Sequence, residues 1–540
     1  MSLHLNINST DIDATAGKTL FDHADGVGIQ VPTSCLKQGK CRECLMEVVE
    51  GMDLLSDPAD EEAHLQDRFR LSCRARIVAS DGSIRCHTMR RADMRILEEA
   101  TPLPGNLSVE ELNPSVTRDG DQIYLDGERI AESKQPIHGL AMDLGTTTVV
   151  LRLVDLESGQ LIASTSFENP QRFGGSDVMA RIKYDTDHRG RLLQRTLLGY
   201  LSRAIDSLPV DSRTIYELVV AANSTMRDLF FGLNVESIGQ KPYWSVTEHE
   251  FRDGTRASTD LAATPKQLRL PIHPGGRIYG LPLISGHVGA DAAACLLATD
   301  LAQEDRLVAL MDIGTNTELI LGRRGKILAA SCPAGPAFEG GAITCGMPGL
   351  VGAIERVHLE DDGRVEFEVI GGAAPDGICG SGLVDLMGEL LRTKRMNQMG
   401  RLSDGESFLE LDAKRPIRFF ESDISELAQA KAANVAGLQI ISNRYGVGFD
   451  EIDRFYLAGG FARHIDVDAA RRIGLIPDLP NEKIVQVGNA AIEGATIALL
   501  SKDRRHQLEE LVPTIEHVEL ETDPEFFNYF VDGCQFIPVR

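Results

Sequence analysis

The chain has 540 residues, 43% apolar and 25% charged, which suffices for several buried cores and excludes a largely disordered chain. Its 55 basic and 80 acidic side chains leave a formal charge of −25, which repels phosphate backbones and anionic headgroups, so neither nucleic acid nor a membrane surface is expected as a partner. No apolar run approaches the roughly 20 residues of a spanning helix, and the N-terminal stretch has neither the basic nor the long apolar region of a secretory leader, so a cytoplasmic location is expected.

The opening LHLNINST alternates like a short strand, turns at Ala16-Gly17 and leads into a helical segment, TLFDHADGVG, that ends in glycines. Next come Cys35, Cys41 and Cys44 in VPTSCLKQGKCRECLMEVVEG, and later Cys73 in RFRLSCRARI. In a reducing compartment, clustered thiols point to metal or redox chemistry rather than disulfides. Three thiolates on one loop and a fourth further along are what a [2Fe–2S] site requires, and the N–H groups of such a loop stabilise the negative charge of the reduced state. Structural zinc also takes four thiolates, but usually from paired Cys-x2-Cys knuckles, of which only one is present.

The run Arg70-Leu71-Ser72-Cys73 and the cysteine loop resemble plant-type and adrenodoxin-type ferredoxins, with the adrenodoxin spacing between Cys35 and Cys41. An α+β ferredoxin-like (β-grasp) domain over residues 1–92 is therefore expected. Cys86, in the strand-like SIRCHTM, is the rival to Cys73 as fourth ligand, and Cys73 is favoured by its local motif. The other cysteines, Cys295, Cys332, Cys345, Cys379 and Cys534, read as small buried apolar residues. Residues 1–92 hold 11 basic and 14 acidic side chains, so this region is close to neutral. Lys37, Lys40, Arg42, Arg68, Arg70, Arg74 and Arg76 flank the cysteines. They read as ordinary solvated charges, as a docking face for an acidic partner, or as a field favouring the reduced cluster.

Residues 93–136 contain Pro-Leu-Pro-Gly punctuation and one hairpin-like run, DGDQIYLDGERI, and read as a connector or a very small domain. Beyond it, an apolar strand enters Asp143-Leu-Gly145-Thr146-Thr147-Thr148 and a second strand leaves it. The pattern returns 169 residues later as Asp312-Ile-Gly314-Thr315-Asn316-Thr317. In each, the glycine lets the backbone approach a phosphate, Thr or Asn donates to its oxygens, and the aspartate can hold a hydrated Mg²⁺ or orient water. One such motif is weak evidence; two, each between apolar strands, form an internal repeat. A Walker-type phosphate loop is absent from the sequence.

The duplicated hairpin resembles the actin, sugar kinase and Hsp70 superfamily of ATPases, which implies an α/β actin-like duplicated (ASKHA) ATPase domain over residues 137–540. The resemblance implies ATP with Mg²⁺ as ligand, held by the hairpin residues, and places Gly459 and Gly460 of FYLAGGFARHID against adenosine. Gly380-Ser381-Gly382, at the mouth of an amphipathic helix, reads as an anion site. NPQRFGGSDVMARI, AANSTMRDLFFGL, SCPAGPAFEGGAITCGM and GNAAIEGA suit cleft loops; Asn223, Glu339 and Cys345 stand out there without an assigned role.

Taken in order, these motifs resemble the reductive activators of corrinoid-dependent methyltransferases and corrinoid iron–sulfur proteins across essentially the whole chain. That resemblance implies ATP-dependent reduction of a Co(II) corrinoid protein to Co(I), an electron donor to the cluster, and a homodimer formed through the ATPase domain. The short connector departs from the longer middle domain of such relatives. Two other readings compete: an ATP-driven activator of a different low-potential enzyme, and a non-catalytic iron–sulfur sensor or scaffold. A sugar or acid kinase ranks lowest, because phosphoryl transfer to a small molecule has no use for the cluster.

Overall fold

The computed structural model describes residues 3–8, 10–33, 35–66, 68–89, 103–360, 364–412, 415, 417–460 and 462–540. The first part of the connector, including the leading proline of Pro-Leu-Pro-Gly, and Phe461 after the late glycine pair lie outside the described residues. The chain divides into two compact units, residues 1–97 with 112–280 and residues 98–111 with 281–540.

In the first unit, β1 (Leu3–Ile7), β2 (Thr10–Asp13), α1 (Leu20–Gly26), β3 (Leu45–Glu50), β4 (Phe69–Leu71) and β5 (Gly82–Thr88) build the expected ferredoxin-like domain. The sheet order is β2-β1-β5-β3-β4, with β1 and β5 parallel and the other pairs antiparallel. Alternate residues Leu5, Ile7, Met46, Val48, Ile84 and Cys86 point into one core, closed by Leu20 and Ala24 of α1. A capping box in which Thr19 and Asp22 satisfy each other's backbone N–H starts α1 where the sequence places a helix.

The connector's hairpin-like run is a three-stranded meander, β6 (Val116–Asp119), β7 (Gln122–Leu125) and β8 (Glu128–Glu132). It is tied to its own unit by Arg118 on Glu157 and by Arg277 on Asp126. Residues 98–111 group with the second unit, so the connector is not one piece.

A six-stranded sheet follows, built from β9 (His138–Leu144), β10 (Thr148–Asp155), β11 (Leu161–Glu168), β12 (Ile215–Ala222), β13 (Leu261–Ala263) and β14 (Arg277–Gly280) in the order β11-β10-β9-β12-β14-β13. All of β9 except Asp143 is buried, as a strand covered on both faces requires. The unit's helices are α2 (Val178–Asp187), α3 (Leu192–Asp206), α4 (Ser224–Phe231), α5 (Val246–Arg252) and α6 (Pro265–Leu268).

In the second unit come α7 (Ala290–Ala298), β15 (Val308–Ile313), β16 (Thr317–Arg323), β17 (Lys326–Cys332), β18 (Ala353–Leu359), β19 (Val365–Val369), β20 (Gly377–Ile378) and α8 (Gly380–Arg392). They are followed by β21 (Phe408–Asp412), β22 (Ile417–Phe420), α9 (Glu421–Tyr445), β23 (Arg454–Ala458), α10 (Val467–Ile473), β24 (Ile484–Gly488), α11 (Ala490–Leu500), α12 (Lys502–Leu511), β25 (Glu516–His517) and α13 (Phe526–Gly533). Its main sheet runs β24-β23-β15-β16-β17-β25. An antiparallel meander extended by parallel strands beside its first strand thus occurs once in each unit, β11-β10-β9-β12-β14 and β17-β16-β15-β23-β24. This is the duplication that the paired motifs predict. No helix among the described residues is long and apolar enough to cross a membrane.

Candidate functional site

The cysteine loop is bent by a run of left-handed residues: Leu36, Lys37 and Arg42 at φ 52°, 63° and 61°, and Gly39 at 72°. A side chain at Gly39 would meet the Arg74 guanidinium at 2.7 Å, so glycine serves both the turn and the close approach. The curl brings the thiols together in pairs. Cys44 Sγ lies 3.3 Å from Cys73 Sγ, and Cys35 is hydrogen-bonded to Cys41. Burial pushes the Cys35 thiol up, and N–H groups of Cys41, Gln38 and Lys40, with the Cys41 side chain, outweigh it and bring it down to about 7. Cys73 is lowered chiefly by the Cys44 thiol that donates to it, against burial, with help from the Gly39 N–H.

Among the described residues no three Cys, His, Asp or Glu side chains converge on a single ion. Two pairs of thiols wrapped by N–H donors fit a group with two irons better than one zinc. Cys86 belongs instead to the core of the ferredoxin sheet, with Leu5, Ile7 and Ile84.

Most of the flanking basic side chains have local partners. Arg70 is almost fully buried and forks onto Glu62 through Nε and Nη2 at 2.9 and 3.1 Å, while Nη1 donates to the Ser56 carbonyl and Nη2 also to that of Asp57. Lys37 pairs with Asp22 at 2.9 Å, Arg74 with Glu61 at 2.9 Å and Arg68 with Glu47 at 3.5 Å. The sequence readings of these charges thus meet another: several of them brace the loop.

Cys44 and Cys73 share a continuous apolar core with the six-stranded sheet and helices of the same unit. The Tyr200 hydroxyl of α3 donates to the Glu43 carbonyl at 2.8 Å, Arg203 pairs with the Glu43 carboxylate at 2.8 Å, and the Tyr184 hydroxyl donates to the His64 carbonyl at 2.6 Å. His64 packs edge-on against Phe173. Burial, and then Arg42, hold its imidazole down at about 4.

The first hairpin, Gly145–Thr147 between β9 and β10, is held from behind. Asn169 donates its side-chain N–H to the Gly145 carbonyl at 2.8 Å and its backbone N–H to the Thr147 carbonyl at 2.7 Å. Arg181, fully buried, donates to the Thr146 carbonyl at 2.6 Å and to the Gly175 carbonyl at 3.0 Å. A trans peptide points its C=O and N–H in opposite directions, so fixing these carbonyls aims the following N–H groups of the hairpin the other way. Asn223 caps α4 by accepting from the Met226 N–H and donates to Thr146 Oγ1 at 3.0 Å. NPQRFGGSDVMARI and Asn223, to which the sequence assigns no role, are therefore the supports of this hairpin. Asp143 is half-buried at the end of β9.

In the second unit Asp312 ends β15 in a group of acids. Burial and then the nearby Asp291 push its carboxyl up to about 7, and Cys295 Sγ lies 3.4 Å from Oδ2. Asp291, at the first turn of α7, is itself raised to about 6 by burial. Glu318, on β16, is raised by burial and by both aspartates. The Thr315 hydroxyl donates to Glu339. These oxygen donors do not close on one ion. Asp291, Glu318 and Cys295 escape sequence reasoning because each is separated from Asp312 along the chain or faces it from the neighbouring strand.

Gly459 has φ 119° and its Cα abuts the Ile313 carbonyl beside the second hairpin, a fit only glycine allows; Gly460 has open space where a Cβ would stand. The AGG run and Asp312-Ile-Gly314-Thr315-Asn316 thus lie together on adjacent strands β23 and β15. Gly380, Ser381 and Gly382 open α8 but are buried, and Gly382 sits on the Ile354 carbonyl of β18. There the glycine serves close helix–strand packing.

Residues 3–78 match the "2Fe-2S iron-sulfur cluster binding domain", residues 138–304 the "RACo middle region", and residues 306–539 the "C-terminal domain of RACo the ASKHA domain". The middle region thus takes in the six-stranded sheet and helices α2–α6 of the first unit and runs on through α7 of the second. The chain is 28% identical to the corrinoid activation enzyme RamQ of Eubacterium limosum, over 97% of each chain. It is 24% identical to the [Co(II) methylated amine-specific corrinoid protein] reductase of Methanosarcina barkeri, over 73% of this chain and 76% of the relative. A solved structure titled reductive activator for corrinoid, iron-sulfur protein aligns with a TM-score of 0.73 and 26% identity over 99% of each chain. With a 2Fe-2S domain followed by both the middle and the C-terminal regions of one family, this chain belongs to the RACo family of reductive activators.

Proposed function

We propose that this chain is an ATP-dependent reductive activator that passes an electron from its [2Fe–2S] cluster to a Co(II) corrinoid protein, regenerating Co(I) for methyl transfer. The observation that carries the reading is the end-to-end likeness to corrinoid activators of a chain that joins a ferredoxin-type domain to an actin-like ATPase. In this reading the domains are residues 1–92, 93–136 and 137–540, the last acting as a homodimer, and a separate electron donor reduces the cluster.

Cys35, Cys41, Cys44 and Cys73 hold the cluster, which supplies one electron per turnover. The N–H groups of Gln38, Lys40 and Cys41 stabilise thiolate charge at Cys35 and favour the reduced form. Gly145, Thr146 and Thr147 present N–H and hydroxyl donors suited to the phosphates of ATP, and so do Gly314, Thr315 and Asn316. Gly459 and Gly460 receive adenosine, and Gly380-Ser381-Gly382 shapes the phosphate end of that site. Asp143 and Asp312 position Mg²⁺ and the attacking water. The raised carboxyl of Asp312 is a group that gains by exchanging its proton for a cation. ATP binding favours one conformation over another by its unequal affinity for the two, and so biases a step that the cluster's own potential leaves uphill.

The test is an anaerobic assay with reductant, ATP and a cognate Co(II) corrinoid protein. Co(I) absorbance should grow only with ATP present. A competent partner that stays Co(II) would sink the proposal.

A further inference from the structure

The first unit contains a concavity that neither the hairpin nor the cysteine loop uses. Its volume is about 860 Å³, within the size range of small-molecule sites. The exposed residues Arg191, Arg195 and Arg269 line it, and the part-exposed Leu198, Phe231 and Leu233 supply apolar walls. Elsewhere in the same unit Arg172, Arg203, Arg252 and Arg277 are each held by a carboxylate. Among the described residues no carboxylate comes within 4.0 Å of the three cavity arginines. Arg191 acts on Asp185, whose carboxyl is raised by burial and drawn back by that guanidinium.

Three arginines lining one concavity give it a positive field that attracts an anion. Arginine rather than lysine favours planar, two-pronged recognition of phosphate. Arg191 is also the N-cap of the 15-residue α3 and provides no side-chain cap, so first-turn N–H groups of α3 remain available to an oxygen anion. Both Arg191 and Arg269 are held in left-handed backbone, at φ 51° and 53°, a conformation that bulky residues adopt at a cost. Gln194 donates to the Phe230 carbonyl at 2.8 Å and so fixes the wall that carries Phe231.

We propose that this cavity binds an organic phosphate of nucleotide size with a planar apolar body, the phosphate against the arginines and the body against Leu198, Phe231 and Leu233. None of its lining residues belongs to the hairpins or to the glycine runs assigned to ATP.

The probe is flavin mononucleotide, followed by fluorescence anisotropy on the full-length protein, with riboflavin and inorganic phosphate as comparison arms. Saturable binding is expected, at least about tenfold weaker for riboflavin, and at least about tenfold weaker in an R195Q/R269Q variant that keeps its ATPase rate and melting temperature. A saturating non-hydrolysable ATP analogue should not displace the probe, and inorganic phosphate should compete only weakly. No binding up to about 1 mM, equal affinity for riboflavin, an unchanged affinity in R195Q/R269Q, or full displacement by the ATP analogue would each overturn the assignment. An R191Q variant is a second check, and it should weaken the probe without changing the affinity for ATP.

Discussion

Replacing Arg181 by methionine keeps an unbranched side chain of similar reach and removes the guanidinium that supports the first hairpin. The substitution strips the Thr146 and Gly175 carbonyls of donors at 2.6 and 3.0 Å in a position with no solvent access. A hydrogen bond to a charged group contributes about 1.5–3 kcal/mol, and a buried acceptor left without one costs about 1–3 kcal/mol. Part of that loss is offset because the buried cation no longer has to be desolvated. The net expectation is a destabilisation of about 2–3 kcal/mol. The functional consequence is more specific. With the Thr146 carbonyl free to rotate, the Thr147 N–H loses its fixed direction, and the KM for ATP should rise by roughly tenfold, equivalent to about 1.4 kcal/mol. Urea unfolding followed by far-UV circular dichroism measures the first quantity, and ATPase kinetics with saturating corrinoid protein the second. Stability within about 0.5 kcal/mol of the parent protein, or an unchanged KM in a measurably destabilised variant, would refute the idea that Arg181 acts through the hairpin peptides.

Cys73→Ser should abolish the visible absorption of the reconstituted cluster while Cys86→Ser retains it; the opposite pattern would move the fourth ligand to β5. For Asp312→Asn, ATP hydrolysis should fall by about two orders of magnitude, as for loss of a group that positions metal and water. The folded carboxyl titrates near 7 against 3.8 unfolded, so its favourable contribution is complete below about 4 and is lost as pH rises through 7. Without nucleotide and Mg²⁺ the asparagine variant should therefore gain stability over the parent at pH 8, by at most about 4 kcal/mol, and show little difference at pH 4; a variant equally destabilised at both would contradict the shift. His64 is held near 4 against 6.5, so its contribution is present above 6.5 and is lost as pH falls towards 4. Limited proteolysis between pH 7 and 5 should show the ferredoxin domain released earlier in the parent than in His64→Gln, and identical profiles would count against that role.

Much of the fold is legible because two strand–turn–strand motifs with apolar flanks repeat at a domain's distance, and the two sheets repeat their strand order accordingly. The cysteine loop is legible because Cys35, Cys41 and Cys44 lie close in sequence, and the local run before Cys73 points to the thiol that the structure brings beside Cys44. What the sequence hides are contacts made by residues whose type is ordinary and whose partner is a backbone atom. Asn169 and Arg181 meet hairpin carbonyls more than twenty residues away. Arg70 reads as a surface charge beside a cysteine, yet Glu62 turns it into a buried brace. The connector is opaque because its amphipathic signal is weak, and its strands are stabilised by ion pairs to remote residues such as Glu157 and Arg277.

The two thiol pairs of the cysteine loop face different surroundings. Cys44 and Cys73 are enclosed in a core shared with the rest of the first unit, whereas Cys35 and Cys41 lie on the partly exposed turn, beside Leu36 with 86% of its surface accessible. A redox centre closed on one side and open on the other has a single doorway. In the proposed function, a protein that reduces the cluster and a corrinoid protein that takes its electron would use that doorway in turn as long as the ferredoxin domain stays seated. Turnover would then follow alternating, ping-pong kinetics in which excess donor inhibits and a true ternary complex never forms.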